Sequence, residues 1–148
     1  MQPRTAKSND ETPIREIMND QVEAIRAKDA NRALSNYAPE VLAFDLITPL
    51  QYSGIEALRK RLEEWFASFQ GPIGFEMRDL NITAGNEVAF CHSLNGVRGT
   101  KTDGEKIEMR WRATVCFLKI DGKWMVTHTH SSVPFDMKSG KASLDLKP

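Results

Sequence analysis

The stretch from Glu105 to Pro134 constrains this chain more than any other, because it is the longest uninterrupted strand signal and carries two of the three histidines. Ile107, Met109, Trp111, Ala113, Val115 and Phe117 alternate with Glu108, Arg110, Arg112, Thr114 and Cys116. That period of two predicts a strand with one apolar face. Asp121-Gly122 turns the chain, and a second strand from Lys123 to Val133 follows at once. A fold holding this hairpin must cover the apolar face.

The turn decides which residues of the second strand join that face. With Asp121 and Gly122 as a two-residue loop, His128 falls opposite Val115 and His130 opposite Ala113. With Ile120 drawn into the loop and Gly122 as a bulge, Thr114 faces His128, Arg112 faces His130 and Phe117 faces Met125. The bulged register pairs polar with polar and apolar with apolar, and is the one expected here. It keeps Trp111, Ala113 and Val115 on the apolar face. It puts Arg112, Thr114, His128 and His130 on the opposite face.

At 148 residues, one domain with one sizeable core is expected. Lys plus Arg equals Asp plus Glu at 20 each, so no net field favours nucleic acid or an acidic membrane surface. No apolar run approaches membrane-spanning length and no signal-peptide pattern opens the chain, so a cytoplasmic protein is expected. Cys91 and Cys116 sit mid-strand and read as small buried thiols. Residues 1–11 are polar and expected to fray.

Thr12 as cap and Pro13 at the first position open a helix with an apolar stripe of Ile14, Ile17, Met18, Val22 and Ile25. Gln21 lies on that stripe. A polar amide there needs a partner, so it is either a satisfied core glutamine or a donor lining a pocket. Asp29 caps a short second helix carrying Ala33, Leu34 and Tyr37, which Pro39 ends. Val41 to Thr48 then reads as a strand, apolar on both faces except at Asp45. Burial of an isolated carboxylate disfavours its ionised form, which is how a general base or acid is tuned toward neutrality. The bland alternative is an aspartate at a strand end, bonded to backbone amides.

Ser53 and Glu56 spell a capping box before a third helix with the stripe Ile55, Leu58, Leu62, Trp65, Phe66 and Phe69. Arg59, Lys60 and Arg61 form its solvated side, and Gly71-Pro72 stops it. A strand from Phe75 to Thr83 slips its alternation near Asp79, and another runs from Glu87 to Arg98 with His92 on it. Helices packed on one concave face of a curved, mainly antiparallel sheet make an α+β domain over residues 12–134. In the tail, residues 135–148, Leu144 and Leu146 are spaced as a short strand or clamp.

The order of elements, the segment YAPEVLAFDLITPLQYSGIEAL and the string RWRATVCFLKIDGKWMVTHTHSSVPFDMKSGKASLDLKP resemble the SnoaL-like, ketosteroid-isomerase-homologue branch of the nuclear transport factor 2-like superfamily. The resemblance spans Pro13 to Pro148. It implies a cone-shaped fold with three N-terminal helices on the sheet, a pocket between them with Trp111, Ala113 and Val115 as a wall, and commonly a homodimer through the outer sheet face. It does not imply one activity, because the superfold carries isomerases, cyclases, dehydratases and non-catalytic domains. Asp45 matches the general-base aspartate of ketosteroid isomerase, and Gln21 matches the position of its oxyanion-hole tyrosine. The second oxyanion donor falls near Ala113 or Thr114, neither of which can replace a protonated acid.

The expectation is therefore a pocket for a small apolar carbonyl compound, with Asp45 and Gln21 as catalytic candidates and Tyr37, Trp65, Trp111 and Thr129 around the cavity. The rival is a non-catalytic binding or assembly domain, with Arg112, Thr114, His128 and His130 as a hydrogen-bonded network at a subunit interface. No cofactor is expected. A zinc or copper site at His128-x-His130 is not expected either, because no carboxylate or thiol completes a ligand set. Ser131 and Ser132 have no nucleophile elbow around them.

Overall fold

The computed structural model describes residues 10–148, so most of the segment expected to fray lies outside the described residues. The elements run α1 (Thr12–Arg26), α2 (Ala30–Ala33), β1 (Tyr37–Phe44), β2 (Tyr52–Ser53), α3 (Ile55–Ala67), β3 (Phe69–Ala84), β4 (Val88–Lys101), β5 (Lys106–Ile120) and β6 (Lys123–Ser132). The six strands form one sheet in the order β2-β1-β6-β5-β4-β3. All neighbours are antiparallel except β1 and β6, which run parallel. The sheet is thus mixed, and only two of the three helices precede its first strand. None of the described helices is long and apolar enough to cross a membrane.

The local signals mostly hold, with shifted boundaries. Thr12 is the first helical residue rather than the cap, and its amide donates to Asp10 Oδ1 at 2.9 Å. Asp29 does cap α2, accepting from the Arg32 amide at 3.0 Å. That helix is one turn long, however, so Tyr37 begins β1 instead of ending α2. Pro39 sits inside β1 where the pairing to β6 is interrupted between Tyr37 and Leu42, so its missing N–H removes no ladder bond. The capping box does not form: Gly54, at φ 92°, is the N-cap of α3 and no side chain caps it.

The third helix stops at Ala67, and Phe69 starts β3 as a buried core residue. Gly71, at φ 71°, and Pro72 lie in a register break of β3 between Gln70 and Gly74. The expected slip near Asp79 is real. Asp79 has φ 55° and sits in the break between Arg78 and Asn81.

The register with Gly122 as a bulge does not occur, and the two-residue-loop register holds only from Ile120–Lys123 to Phe117–Val126. Asp121 (φ 50°) and Gly122 (φ 79°) form the two-residue loop, with Ile120 paired to Lys123. Positive φ at both positions is the turn that matches the twist of the flanking strands. A bulge then comes at Thr127, between the pairs Phe117–Val126 and Cys116–His128. His130 therefore faces Thr114, and Arg112 faces Ser132 and donates to its Oγ at 3.1 Å. The bulge switches parity within β6: Trp124 and Val126 are buried in the core, and beyond it Thr129 and Ser131 line the cavity. A chain without the bulge would turn the two histidines inward. The expected faces hold only beyond the bulge: before it, Trp124 and Val126, which the expected register turns outward, are buried in the core.

Two apolar clusters fill the space under the helices. One joins Ile14, Met18, Leu34, Val41 and Leu58 to Val115, Phe117, Trp124 and Val126; the other joins Ile25 and Phe66 to Phe69, Ile73, Phe75 and Val97. Cys91 is fully buried in the first, where burial pushes its thiol up to about 12 and keeps it from acting as a nucleophile. The tail packs along β5. β6 ends opposite Arg112, and past that point the Arg110 amide donates to Leu144 O at 2.7 Å. A turn closed by the Phe135–Ala142 bridge carries the chain back to this position.

Candidate functional site

The helices and the sheet enclose a cavity of about 640 Å³, within the range of roughly 300–1,000 Å³ that holds small ligands. Its wall is mostly apolar. Ala113, Val115, Met109 and Trp111 come from β5, Thr129 and Ser131 from β6, and Met18, Gln21 and Val22 from α1. Trp65 projects from α3, and Ala142 and Leu144 bring the tail to the rim. Of the sequence-derived candidates, Asp45, Gln21, Tyr37, Trp65, Trp111 and Thr129 all border this one space.

Asp45 lies one residue past the end of β1. The isolation expected of it is absent. Its Oδ2 accepts from Arg61 Nε at 3.1 Å and its Oδ1 from the Leu46 amide at 2.6 Å. Both side chains are mostly enclosed, at 22% exposed for Asp45 and 19% for Arg61. Arg61 was expected on the solvated side of α3 with Arg59 and Lys60. Its position three after Leu58 and four before Trp65 puts it on the inward stripe instead, and that spacing was the available signal. Arg59 does stay outside, paired with Glu56 and Asn31.

Gln21 Nε2 donates to Tyr37 Oη at 2.9 Å. Gln21 thus uses one amide hydrogen on a neighbour and keeps the other, and the hydroxyl hydrogen of Tyr37 has no acceptor among the described residues. Burial raises the Tyr37 phenol above its ordinary value, against the lowering effect of the Gln21 bond, and the nearby charge of Asp45 adds to the rise. The phenol is therefore a neutral donor at neutral pH. Accepting from Gln21 polarises it and makes it a stronger one.

Two further polar groups escaped the sequence reading. Asn95, on β4, lines the cavity and accepts from Ser93 Oγ at 2.9 Å, which leaves its own amide hydrogens for the cavity. Lys101 also lines it, because β4 runs three residues past the expected end at Arg98. Lys101 Nζ donates to Ser68 Oγ at 2.8 Å and stands 4.1 Å from the centre of the Phe69 ring.

The histidine pair is on the other side of the sheet. His128 Nδ1 donates to Leu42 O at 2.7 Å, since a carbonyl can only accept, and this fixes its tautomer. Phe44 packs edge-on against both rings, at 4.7 Å from His128 and 5.3 Å from His130. Thr114 faces His130 across the ladder and also borders the cavity, so it is not confined to the outer face as expected. The direct pairing of Arg112 with His130 does not occur.

Comparison with known proteins agrees with this architecture. Residues 14–136 match the family model described as the SnoaL-like domain. An NTF2-like protein of unknown function from Pseudomonas putida is 36% identical, with a TM-score of 0.84 over 93% of this chain and 96% of that one. An NTF2-like superfamily protein from Salmonella enterica shares the fold at 15% identity, with a TM-score of 0.75 over 90% of this chain and 96% of the other. The association domain of C. elegans CaMKII shares it at 17% identity and a TM-score of 0.65, covering 87% of this chain and 98% of that one. Among curated proteins no relative matches the chain. The family model covers most of the sequence and the fold agrees throughout, so the chain belongs to the SnoaL-like domain family of the NTF2-like superfamily.

Proposed function

We propose that this protein binds a small, largely apolar carbonyl compound in the cavity and that Asp45 removes a proton next to the carbonyl. The observation that carries the reading is the convergence of Asp45 and the Gln21–Tyr37 pair on one apolar space. Proton abstraction needs a base on one side of the ligand and a donor where negative charge develops on oxygen. Tyr37 is the better donor of the pair, because its hydroxyl accepts from Gln21 Nε2, is polarised by that bond and keeps its own hydrogen to donate. Gln21 then acts as a positioning residue rather than as the oxyanion contact itself. It is a step shared by isomerisation, cyclisation and dehydration of carbonyl compounds through an enolate.

The test is deuterium exchange. Apolar ketones that bind the protein are incubated with it in D₂O, and loss of the α-proton signal is followed by NMR. Exchange dependent on the protein is the expected result. Ligands that bind tightly and never exchange would leave a non-catalytic binding domain, the reading that the Arg61–Asp45 ion pair favours because it occupies one carboxylate oxygen.

Association through the outer sheet face is the second part of the proposal. Val88, Phe90, Leu118 and Ile120 are exposed there, and the strand pairs Val88–Leu118 and Phe90–Cys116 make the first three one patch. Arg112, Thr114, His128 and His130 continue the same face. Replacing Phe90 and Leu118 together by glutamate is expected to convert a dimer into a monomer in sedimentation velocity. A dimer that persists would remove this face as the interface.

A further inference from the structure

The cavity is not electrically balanced. Its charged lining residues, among those described, are one carboxylate, Asp45, and two cations, Arg61 and Lys101. Asp45 engages Arg61 only through Nε, and Nη1 and Nη2 have no partner among the described residues. These nitrogens are the planar fork that grips a carboxylate through two parallel bonds. Lys101 has no ion-pair partner among the described residues. Its ammonium is held by a hydroxyl and an aromatic ring.

The two cations stand on either side of Trp65 along α3. Arg61 is one turn before it, and the Lys101 ammonium is tied to Ser68, which lies just after it. Trp65 meets Phe69 edge-on with ring centres 5.4 Å apart, so an aromatic wall joins the two positions. Burial, and then the charge of Arg61, hold Lys101 below its ordinary value, while Asp103 and Glu105 oppose this from a distance. Two partly desolvated cations facing one cavity repel each other, and an anion between them relieves both costs.

We propose that the ligand of this pocket is an apolar or aromatic molecule carrying a carboxylate, with the carboxylate held by Arg61 Nη1 and Nη2 and by Lys101 Nζ, and its ring against Trp65. The assignment rests on the pocket reading above and narrows its substrate class to a keto acid rather than a neutral steroid-like ketone.

The experiment is calorimetric titration with matched sets of acid, primary amide and amine on phenyl, naphthyl and biphenyl scaffolds, at pH 7. Within a set the ring is constant and only the charge changes. The acid is expected to bind at least about tenfold more tightly than its amide, as two charge-assisted contacts imply. Lys101→Met leaves the Arg61–Asp45 pair untouched and should cut that preference several-fold, with Lys101→Arg restoring most of it. Equal binding of acid and amide, or tightest binding by the amine, would overturn the anion site while leaving the apolar pocket intact. A preference for the acid that Lys101→Met does not change would overturn the role of Lys101. Failure of every member of all three sets to bind at millimolar concentration would overturn the pocket reading together with the assignment.

Discussion

Replacing Phe117 by alanine is expected to destabilise the protein by about 3–5 kcal/mol. Phe117 is 1% exposed and pairs with Ala89 on β4 and Val126 on β6, both buried, so its ring lies where the two central ladders of the sheet meet the helices. The neighbours are strands held on both sides by hydrogen bonds and cannot move in to fill the space. The cost is therefore the transfer energy of the ring plus a cavity that does not collapse. Total stabilities of single domains are about 5–15 kcal/mol, so this one change removes a large share. Glu108→Ala, on the other face of the same strand, outside the proposed interface patch and 46% exposed, is the control, with an expected loss that is a small fraction of that for Phe117→Ala. Urea unfolding followed by tryptophan fluorescence measures both. A shared small shift in midpoint would mean that the two faces of β5 are not as unequal as the alternation implies.

That alternation shows why so much of the fold was readable. On β5, the inward set Val115 and Phe117 and the outward Leu118 follow from a period of two, and no tertiary knowledge is needed to separate them. Register is a different quantity. The alternation of β5 fits several pairings with β6, and the bulge at Thr127 shows in the sequence only as a change of parity between Trp124–Val126 and Thr129–Ser131. Local patterns also missed the ends of elements. Phe69 fits the stripe of α3 as well as it fits the first position of β3, and only packing chooses between them. The site divides in the same way. Asp45 stood out because it is a lone carboxylate in an apolar run, and Gln21 because it is polar on an apolar stripe. What these residues bond to was hidden, because Arg61 and Tyr37 are each 16 residues away and reach them only through the packing of helix on sheet. Lys101 carried no local signal, since a lysine near a strand end is ordinarily solvated.

The ion pair makes Asp45→Asn the most discriminating change in the site. If Asp45 is the base, amide in place of carboxylate removes the group that takes the proton, and exchange or turnover should fall by about 10²–10⁴-fold. Asparagine keeps the size of the side chain and one accepting oxygen, which serves Arg61 Nε at the cost of the Leu46 amide bond, so the cavity should keep its shape with one local hydrogen bond fewer. Its net charge, however, rises by one. A carboxylate-bearing ligand should then bind more tightly to the variant than to the parent, while the matched amide changes little. Tyr37→Phe supplies the complementary result: it removes the hydroxyl that Gln21 polarises, and turnover should drop by about 10²–10³-fold with little change in the affinity for either probe. Loss of catalysis with a gain in acid binding is not what a merely structural Asp45 would give, because breaking a structural pair loosens α3 against β1 and weakens every ligand alike. Turnover that survives Asp45→Asn would move the base elsewhere in the cavity. Weaker binding of acid and amide together would mean that the pair with Arg61 shapes the pocket and does no chemistry in it.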